Sequence, residues 1–565
     1  MRALSLHSTI KTTWDHATRR RSVPCQSLHA SLPPVCRSFK LAVVVAPGKN
    51  VEGFVPNGPS AQSRVNLPEI AYFLPQAESQ IEFLLNLINR PNRPDRRRAA
   101  MDFDRLAEQQ SQRVFQKWIH DLVQGHTKSL ALKLAAEHLA GSPSERTPVS
   151  VSRFSHGAFN FCYQVMCQDG YRVLVRFTAQ GRIVCRDEKV EDEVAVMTYL
   201  AQNTPIPVPR VLGAGRCAAG PYVIMELLEG NILTRYLKDP LRRLATFNLH
   251  ISESALKKAY HGMADIVLEL SKPDFDSIGA LKQDGAGEWV VHKRPLSFNM
   301  NRISQFSNIP SAAFARHRFT DAAEYFEELA LQHFYHLEYQ RNDAVTDEAD
   351  CRKKYVARCL FRRICRHVSS AEHRHGPFKL FCDDFRPDNI LVDASKLDIT
   401  GAVDWEFTYA APVEFTHAAP WWLLLERPED WEPDLSRFLV RYTPRLRVFL
   451  EALRECENRK ICEGSLLDSQ CLSDAMENSM ENGLFWFCLA ARHGAMFDEI
   501  YWAFIDPQYH GRYTTLDDRI SLLNDEERAG LDAFVQMKMQ QAEEETLDSH
   551  PDVESTSLAT PLSMF

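Results

Sequence analysis

The sequence predicts an α+β fold in two parts, a small β-rich one followed by a larger, mainly helical one. Three observations carry this. Between Val151 and Leu233, short apolar runs alternate with turn signals, the strongest being Asp169-Gly170, a dipeptide that favours a tight hairpin. Further along, several long segments repeat apolar residues at helical spacing. Between those segments, Phe378–Phe407 (FKLFCDDFRPDNILVDASKLDITGAVDWEF) reads instead as strand, loop and hairpin.

The elements follow in order. Trp118 to Leu139 reads as helical. A turn from Phe154 to Asn160 contains Gly157 and precedes the strands Phe161–Val165 and Tyr171–Phe177, which flank Asp169-Gly170. Glu188 to Leu200 is an amphipathic helix with Val190, Val194, Met197 and Leu200 near one face. Pro221 to Leu228 is an apolar strand ending at Met225-Glu226-Leu227-Leu228. Helical spacing returns over Leu256–Leu270, Tyr325–Tyr339, Trp421–Glu426, Leu435–Leu453 and Gly483–Phe504. Trp421, Trp422, Trp486 and Trp502 either line a pocket or, as large aromatics more often do, fill the core.

The chemistry concentrates in Phe378–Phe407. Phe378 to Cys382 is a short buried strand that delivers Asp384 at its end, and Pro387 keeps residues 384–388 in a loop. Ile390–Val392 and Leu397–Val403 then form a hairpin around the turn Asp393–Lys396, bringing Asn389 and Asp404 near one ion. A carboxylate able to take a hydroxyl proton, with an amide and a second carboxylate able to hold magnesium on a nucleotide, suits phosphoryl transfer. The plainer alternative is a polar turn that Asp384 and Asn389 merely cap. Signatures of rival chemistry are missing from the sequence, which contains no G-x-S-x-G elbow, no H-E-x-x-H and no paired C-x-x-C. His373-Arg374-His375 lacks partner ligands nearby and reads as a polar turn.

On these residues the chain resembles the aminoglycoside-phosphotransferase-type small-molecule kinases, particularly the fungal proteins that carry that domain. Their catalytic loop reads His-Gly-Asp-x-x-x-x-Asn and an Asp-Trp or Asp-Phe pair follows; Cys382-Asp383-Asp384, Pro387, Asn389, Asp404 and Trp405 stand at those places, and the likeness runs on through Glu406 to Pro412. The resemblance implies a protein-kinase-like two-lobe fold, ATP and Mg²⁺ as cofactors, Asp384 as catalytic base, and Asn389 and Asp404 as magnesium ligands. It further implies a nucleotide-covering loop with Gly157 and Asn160, Arg176 as the phosphate-binding cation where lysine is usual, and Glu193 as its ion-pair partner. The adenine hinge is Met225–Leu228, with Glu226 and Leu228 binding through main chain. Arg176 keeps the charge of lysine but not its geometry. The expected activity is transfer of the ATP γ-phosphate to a hydroxyl of a small molecule. The alternative, drawn from Cys382 and Arg176, is a catalytically silent pseudokinase that binds nucleotide or a protein partner.

Composition agrees with an enzyme of this kind. The 565 residues carry a net charge of −8, which gives no reason to expect a nucleic-acid partner. Fourteen scattered cysteines, often inside apolar patterns, read as reduced thiols and so as a cytoplasmic setting. No apolar run reaches the roughly 18 residues of a membrane helix. The expected organisation is a basic leader and linker over 1–100, a helical extension over 101–150, the small lobe over 151–230, the large lobe over 231–515, and a helix and disordered acidic tail over 516–565. Residues 1 to about 60 are basic and Ser/Pro-rich, compatible with a mitochondrial transit segment or with disorder. PNRPDRRR, residues 91–98, is a linker, and Met101 is an alternative start.

Overall fold

A computed structural model describes residues 104–124, 127–140, 146–241, 246–431 and 435–549. The expected leader, the 91–98 linker and the Met101 start lie outside the described residues, as does the acidic tail after 549.

The chain opens with two helices, Arg105–Gln124 (α1) and Thr127–Leu139 (α2). They cover one face of a five-stranded antiparallel sheet formed by Pro148–His156 (β1), Asn160–Cys167 (β2), Arg172–Thr178 (β3), Val211–Cys217 (β4) and Gly220–Glu226 (β5), in the order β1-β2-β3-β5-β4. Alternation decides which side chains point where. Phe161, Tyr163 and Val165 of β2 and Val173, Val175 and Phe177 of β3 are buried. Trp118 of α1 meets Phe161 edge-on at 6.2 Å, and its indole N–H donates to the Ala219 carbonyl at 2.9 Å. Asn160, Cys162 and Arg176 share the other face, because Cys162 and Arg176 are cross-strand partners. Helix Arg186–Asn203 (α3) lies on that face with Val190, Val196, Met197 and Leu200 buried. It also buries Lys189, Asp192 and Glu193, which an apolar stripe alone does not foresee.

The crossing to the second lobe is short. After β5 the chain forms a two-residue strand, Asn231–Ile232 (β6), which pairs with Ile390–Val392 of the hairpin expected between Asn389 and Asp404. The larger lobe is mostly helix: Glu253–Ser271 (α4), Phe298–Ser307 (α5), Ala322–Tyr339 (α6), Glu348–Cys365 (α7), Leu435–Cys462 (α8), Ser473–Glu481 (α9), Leu484–Arg492 (α10) and Asp525–Glu544 (α11). Their starts follow capping chemistry: Asp321 and Asp347 accept from Ala323 N at 2.7 Å and Asp350 N at 2.8 Å ahead of α6 and α7. Aromatic packing joins them, with Tyr260 of α4 against Phe449 of α8, and Phe361 of α7 against Phe487 and Phe497. A hairpin of Ala280–Gln283 (β7) and Trp289–Lys293 (β8) lies among these helices, followed by four short strands, Lys379–Cys382 (β9), Ile390–Val392 (β10), Ile399–Ala402 (β11) and Thr408–Ala411 (β12).

Several expectations shift. Gly483–Phe504 is not one helix: it breaks at His493-Gly494, where the Gly494 N–H reaches Asn299 Oδ1 at 3.0 Å. Trp421–Glu426 shortens to a 3₁₀ turn over Trp421–Leu424. Helices α5 and α7 and a second hairpin, Ala280–Gln283 with Trp289–Lys293, were not legible beforehand. Trp421, Trp422 and Trp486 are buried. Helix α11 runs to Glu544, and beyond it Asp548 bonds Arg341 at 2.9 Å. Among the described residues no helix is long and apolar enough to cross a membrane.

Candidate active site

Strand β9 pairs with β12, Cys382 opposite Thr408, so the two aspartates after β9 emerge beside the residues that precede β12. The two diverge at once. Asp383 turns inward: it accepts from the Phe298 N–H at 3.0 Å, Tyr409 OH at 3.3 Å and Arg492 at 3.5 Å. Burial pushes its carboxyl up, opposed by Arg492. Asp383 therefore anchors the loop to the start of α5, while Asp384, also buried, pairs with two guanidinium groups, Arg386 Nε at 3.1 Å and Arg427 Nη2 at 2.8 Å from its Oδ1. Cys382, at the place where the family carries histidine, is buried with its thiol pushed well up by desolvation. It donates weakly to the Glu406 carbonyl at 3.8 Å.

Hydrogen bonds draw the three expected residues together. Asn389 ends a 3₁₀ turn that begins at Pro387; its Nδ2 donates to the Asp384 carbonyl at 2.9 Å, and its own carbonyl accepts from Val403 N at 2.9 Å. Val403 immediately precedes Asp404. That bond fixes the Asn389 amide, whose oxygen is the only side-chain atom able to meet a cation. Asp404 and Phe407 have positive φ, 65° and 60°. For a bulky residue such as Phe407 that conformation is costly and marks a loop held in place by its surroundings. Trp405 supplies part of the hold, with its indole N–H on the Ala402 carbonyl at 2.9 Å and its ring stacked on Phe385.

From the small lobe, Arg176 reaches Asp404 Oδ1 at 3.0 Å and pairs with Glu193 of α3. Two further residues belong to this centre. Lys189, one turn before Glu193, donates to Glu193 at 2.9 Å, Asn160 Oδ1 at 3.0 Å and Glu406 at 2.5 Å. Asn160 in turn donates from Nδ2 to Glu406 at 3.0 Å. Two cations thus face three carboxylates, with Lys189, Glu193 and Glu406 each 1 % exposed. Burial would raise the Glu193 carboxyl, but Arg176 and Lys189 outweigh it and hold it below the usual range. Burial and Glu406 push the Asp404 carboxyl up, with Arg176 opposing, although a third of that side chain is exposed. One negative charge in excess, on oxygen donors, is a chemistry that suits a hard divalent cation such as Mg²⁺.

The remaining expected residues divide. Asn160 sits inside the charge network rather than at the mouth of the cleft. Gly157, in the β1–β2 turn, is exposed, and a Cβ there would meet nothing within 4 Å, so its position makes no steric demand for glycine. Glu226 ends β5, and Leu228 lies against Gly401 of β11, where an added Cβ would come within 2.7 Å of Leu228 Cδ1. Lys189 and Glu406 escaped the sequence reading. Lys189 had a signal, its i,i+4 spacing to Glu193 on a helix; Glu406 had adjacency to Asp404. Phe159 had none: its ring packs edge-on to Phe298 and Phe407, at 5.8 and 5.7 Å, closing the turn of the small lobe onto the large one.

The profile of the "Phosphotransferase enzyme family" (APH) matches residues 150–449, more than half of the chain and both lobes around this centre. The chain belongs to that family. Among curated proteins, it is 26% identical over 304 residues to "Clavilactone A biosynthesis cluster protein Y" of Ampulloclitocybe clavipes, covering 50% of this chain and 67% of that one. It is 22% identical over 282 residues to "Probable acyl-CoA dehydrogenase IBR3" of Arabidopsis thaliana, covering 49% of this chain but only 28% of the relative. Among solved structures, aminoglycoside phosphotransferase APH(3'')-Id from Streptomyces rimosus, in complex with ADP and streptomycin, is 17% identical with a TM-score of 0.30, over 68% of this chain and 99% of that one. This phosphotransferase-family chain has the kinase-like α+β architecture in two lobes, an antiparallel sheet and a helical body.

Proposed function

We propose that the protein transfers the γ-phosphate of ATP to a hydroxyl of a small molecule, with Asp384 as the base. The observation that carries this is the chain of short contacts Asp384 C=O to Asn389 Nδ2, Asn389 C=O to Val403 N–H, and Asp404 to Arg176, which gathers a carboxylate base and two oxygen ligands beside a fixed cation. Asn389 and Asp404 would hold magnesium, which when bound neutralises charge on the nucleotide phosphates. Arg176, locked by Glu193, is the cation for the inner phosphates, and the main chain at Glu226 and Leu228 takes the base. The hydroxyl oxygen forms a bond to the γ-phosphorus, its proton passes to an Asp384 carboxylate oxygen, and the bond to the ADP oxygen breaks with its electron pair. Covalent help from the protein is small; positioning and electrostatics supply the rate.

The test is a transfer assay with labelled ATP and a metabolite extract, the labelled product being identified by mass. Asp384→Asn should lower transfer at least about 100-fold while magnesium–nucleotide binding persists. Wild-type protein that neither binds magnesium–ATP nor hydrolyses it slowly would favour the silent alternative instead.

A further inference from the structure

Helix α3 carries two charged rows. Lys189 and Glu193, four residues apart, turn into the charge network described above. Glu188 and Asp192, also four apart, form a second row about 100° round the helix, with Glu191 at its side. This second row meets two cations of the large lobe. Lys293, the last residue of β8, places Nζ 2.8 Å from Asp192 Oδ1, 3.5 Å from Glu191 and 3.9 Å from Glu188. Arg294, the next residue, grips Glu188 with Nη2 at 2.8 Å and Nε at 3.1 Å. Both cations sit on firmly rooted backbone. Gly279, which leads into β7, exchanges both main-chain bonds with Ala410 of β12 at 2.9 Å, and a Cβ on it would lie 2.0 Å from the Lys293 carbonyl oxygen. At the start of β8, Trp289 meets Tyr199 of α3 edge-on at 5.4 Å and donates from its indole N–H to Gln202 Oε1 at 3.3 Å.

We infer that Lys293 and Arg294 are positioning residues of the phosphotransfer site: by holding the acidic row of α3 they aim Glu193 at Arg176 from across the lobes. This rests on the phosphotransferase reading above and adds to it two residues that act through Glu193. The reason is geometric. In its second half α3 is seated by the apolar side chains Val196, Met197 and Leu200, but over its first eight residues the buried ones are Arg186, Lys189, Val190, Asp192 and Glu193. Apolar burial is non-directional, so one valine does not fix the rotation of that half; charge-assisted hydrogen bonds do. Successive helical residues lie about 100° apart, so clamping Glu188 and Asp192 to the hairpin leaves Lys189 and Glu193 facing the Asp404–Phe407 loop. The hairpin is rooted on β12, the strand that leaves that same loop, so one piece of backbone sets helix and loop in register. Without the two cations the carboxylates of the row repel one another, and the buried Asp192 gains by turning toward water, which draws Glu193 out of line.

The experiment is a double-mutant cycle on the full-length protein, read by calorimetric titration of MgADP and, in parallel, by urea denaturation. Removing both cations, Lys293→Met with Arg294→Met, should weaken MgADP binding about 10-fold, the size of coupling found within one ion-pair network. The charge-keeping exchange Lys293→Arg with Arg294→Lys should restore most of that loss. In a Glu193→Gln background, where Arg176 has already lost its charged partner, the same removal should leave MgADP affinity unchanged while its cost in urea midpoint persists. A purely structural role moves the urea midpoint alone. Wild-type affinity in the folded double variant therefore overturns the inference, and so does an equal loss of affinity in both backgrounds. If the double variant does not fold, Lys293→Gln taken through the same cycle decides between these outcomes. Wild-type protein that binds no MgADP removes the underlying phosphotransferase reading, and the inference with it.

Discussion

At the scale of single residues, the centre is a balance of buried charge in which each member depends on the others. Lys189 offsets Glu193 and Glu406 together. Replacing it by Met leaves three carboxylates facing one guanidinium, and removal of one partner from a buried ion pair costs about 3–5 kcal/mol. Urea denaturation of Lys189→Met should show a loss of that size, part of which returns in the double variant with Glu406→Gln. Glu193 also sets an acid limit. Its folded carboxyl lies below its unfolded value because Arg176 and Lys189 outweigh burial, so its stabilisation is complete above about pH 4.3 and declines as pH falls toward the lower folded value. Stability curves should therefore be steeper in this acid range for the wild type than for Glu193→Gln; equal slopes would show that the pair adds nothing.

At the scale of elements, the crossing between lobes is fixed to the β10–β11 hairpin by close approach. Gly230, at φ 150°, leaves no room for a side chain: a Cβ there would sit 2.4 Å from Thr400 Oγ1, which itself donates to the Glu229 carbonyl at 2.7 Å. Gly230→Ala should cost about 1–3 kcal/mol in a thermal or urea melt, since the backbone there is both strained for other residues and sterically closed. The same element shows what sequence can and cannot tell. Strand β9, the loop and the hairpin were legible because proline, a turn and two apolar runs are local signals. Helix α3 was legible through its apolar spacing, but the burial of Lys189 on it was not, since that depends on Glu406, 217 residues away in the chain. Arg427 carried no local signal at all; only tertiary packing brings it to Asp384. Gly157 shows the converse, a residue singled out by pattern whose position does not require glycine.

At the scale of the molecule, the described chain closes on itself near its two ends. Asp104 is fully buried at the start of α1, where it caps Leu106 N at 2.9 Å and accepts from both the main chain and the side chain of Asn342 at 2.9 and 2.8 Å. The Asn342 amide also donates to the Thr546 carbonyl at 3.0 Å. Helix α1 continues from this clasp to the small lobe, where Ser111 and Gln305 meet the Gly181 carbonyl. It is a strut between lobes. Asp104→Ala removes a helix cap and two long-range bonds, and should lower stability by about 2–4 kcal/mol in chemical denaturation. The account as a whole depends on a base and two metal ligands meeting at one nucleotide. Titration of Mn²⁺·ADP followed by electron paramagnetic resonance tests this without knowledge of the acceptor. It should show binding at least about 10-fold weaker in Asp404→Ala and in Asn389→Ala, with Asp384→Asn close to wild type, as loss of a ligand rather than of a base requires. Equal affinities in all four proteins would contradict the account.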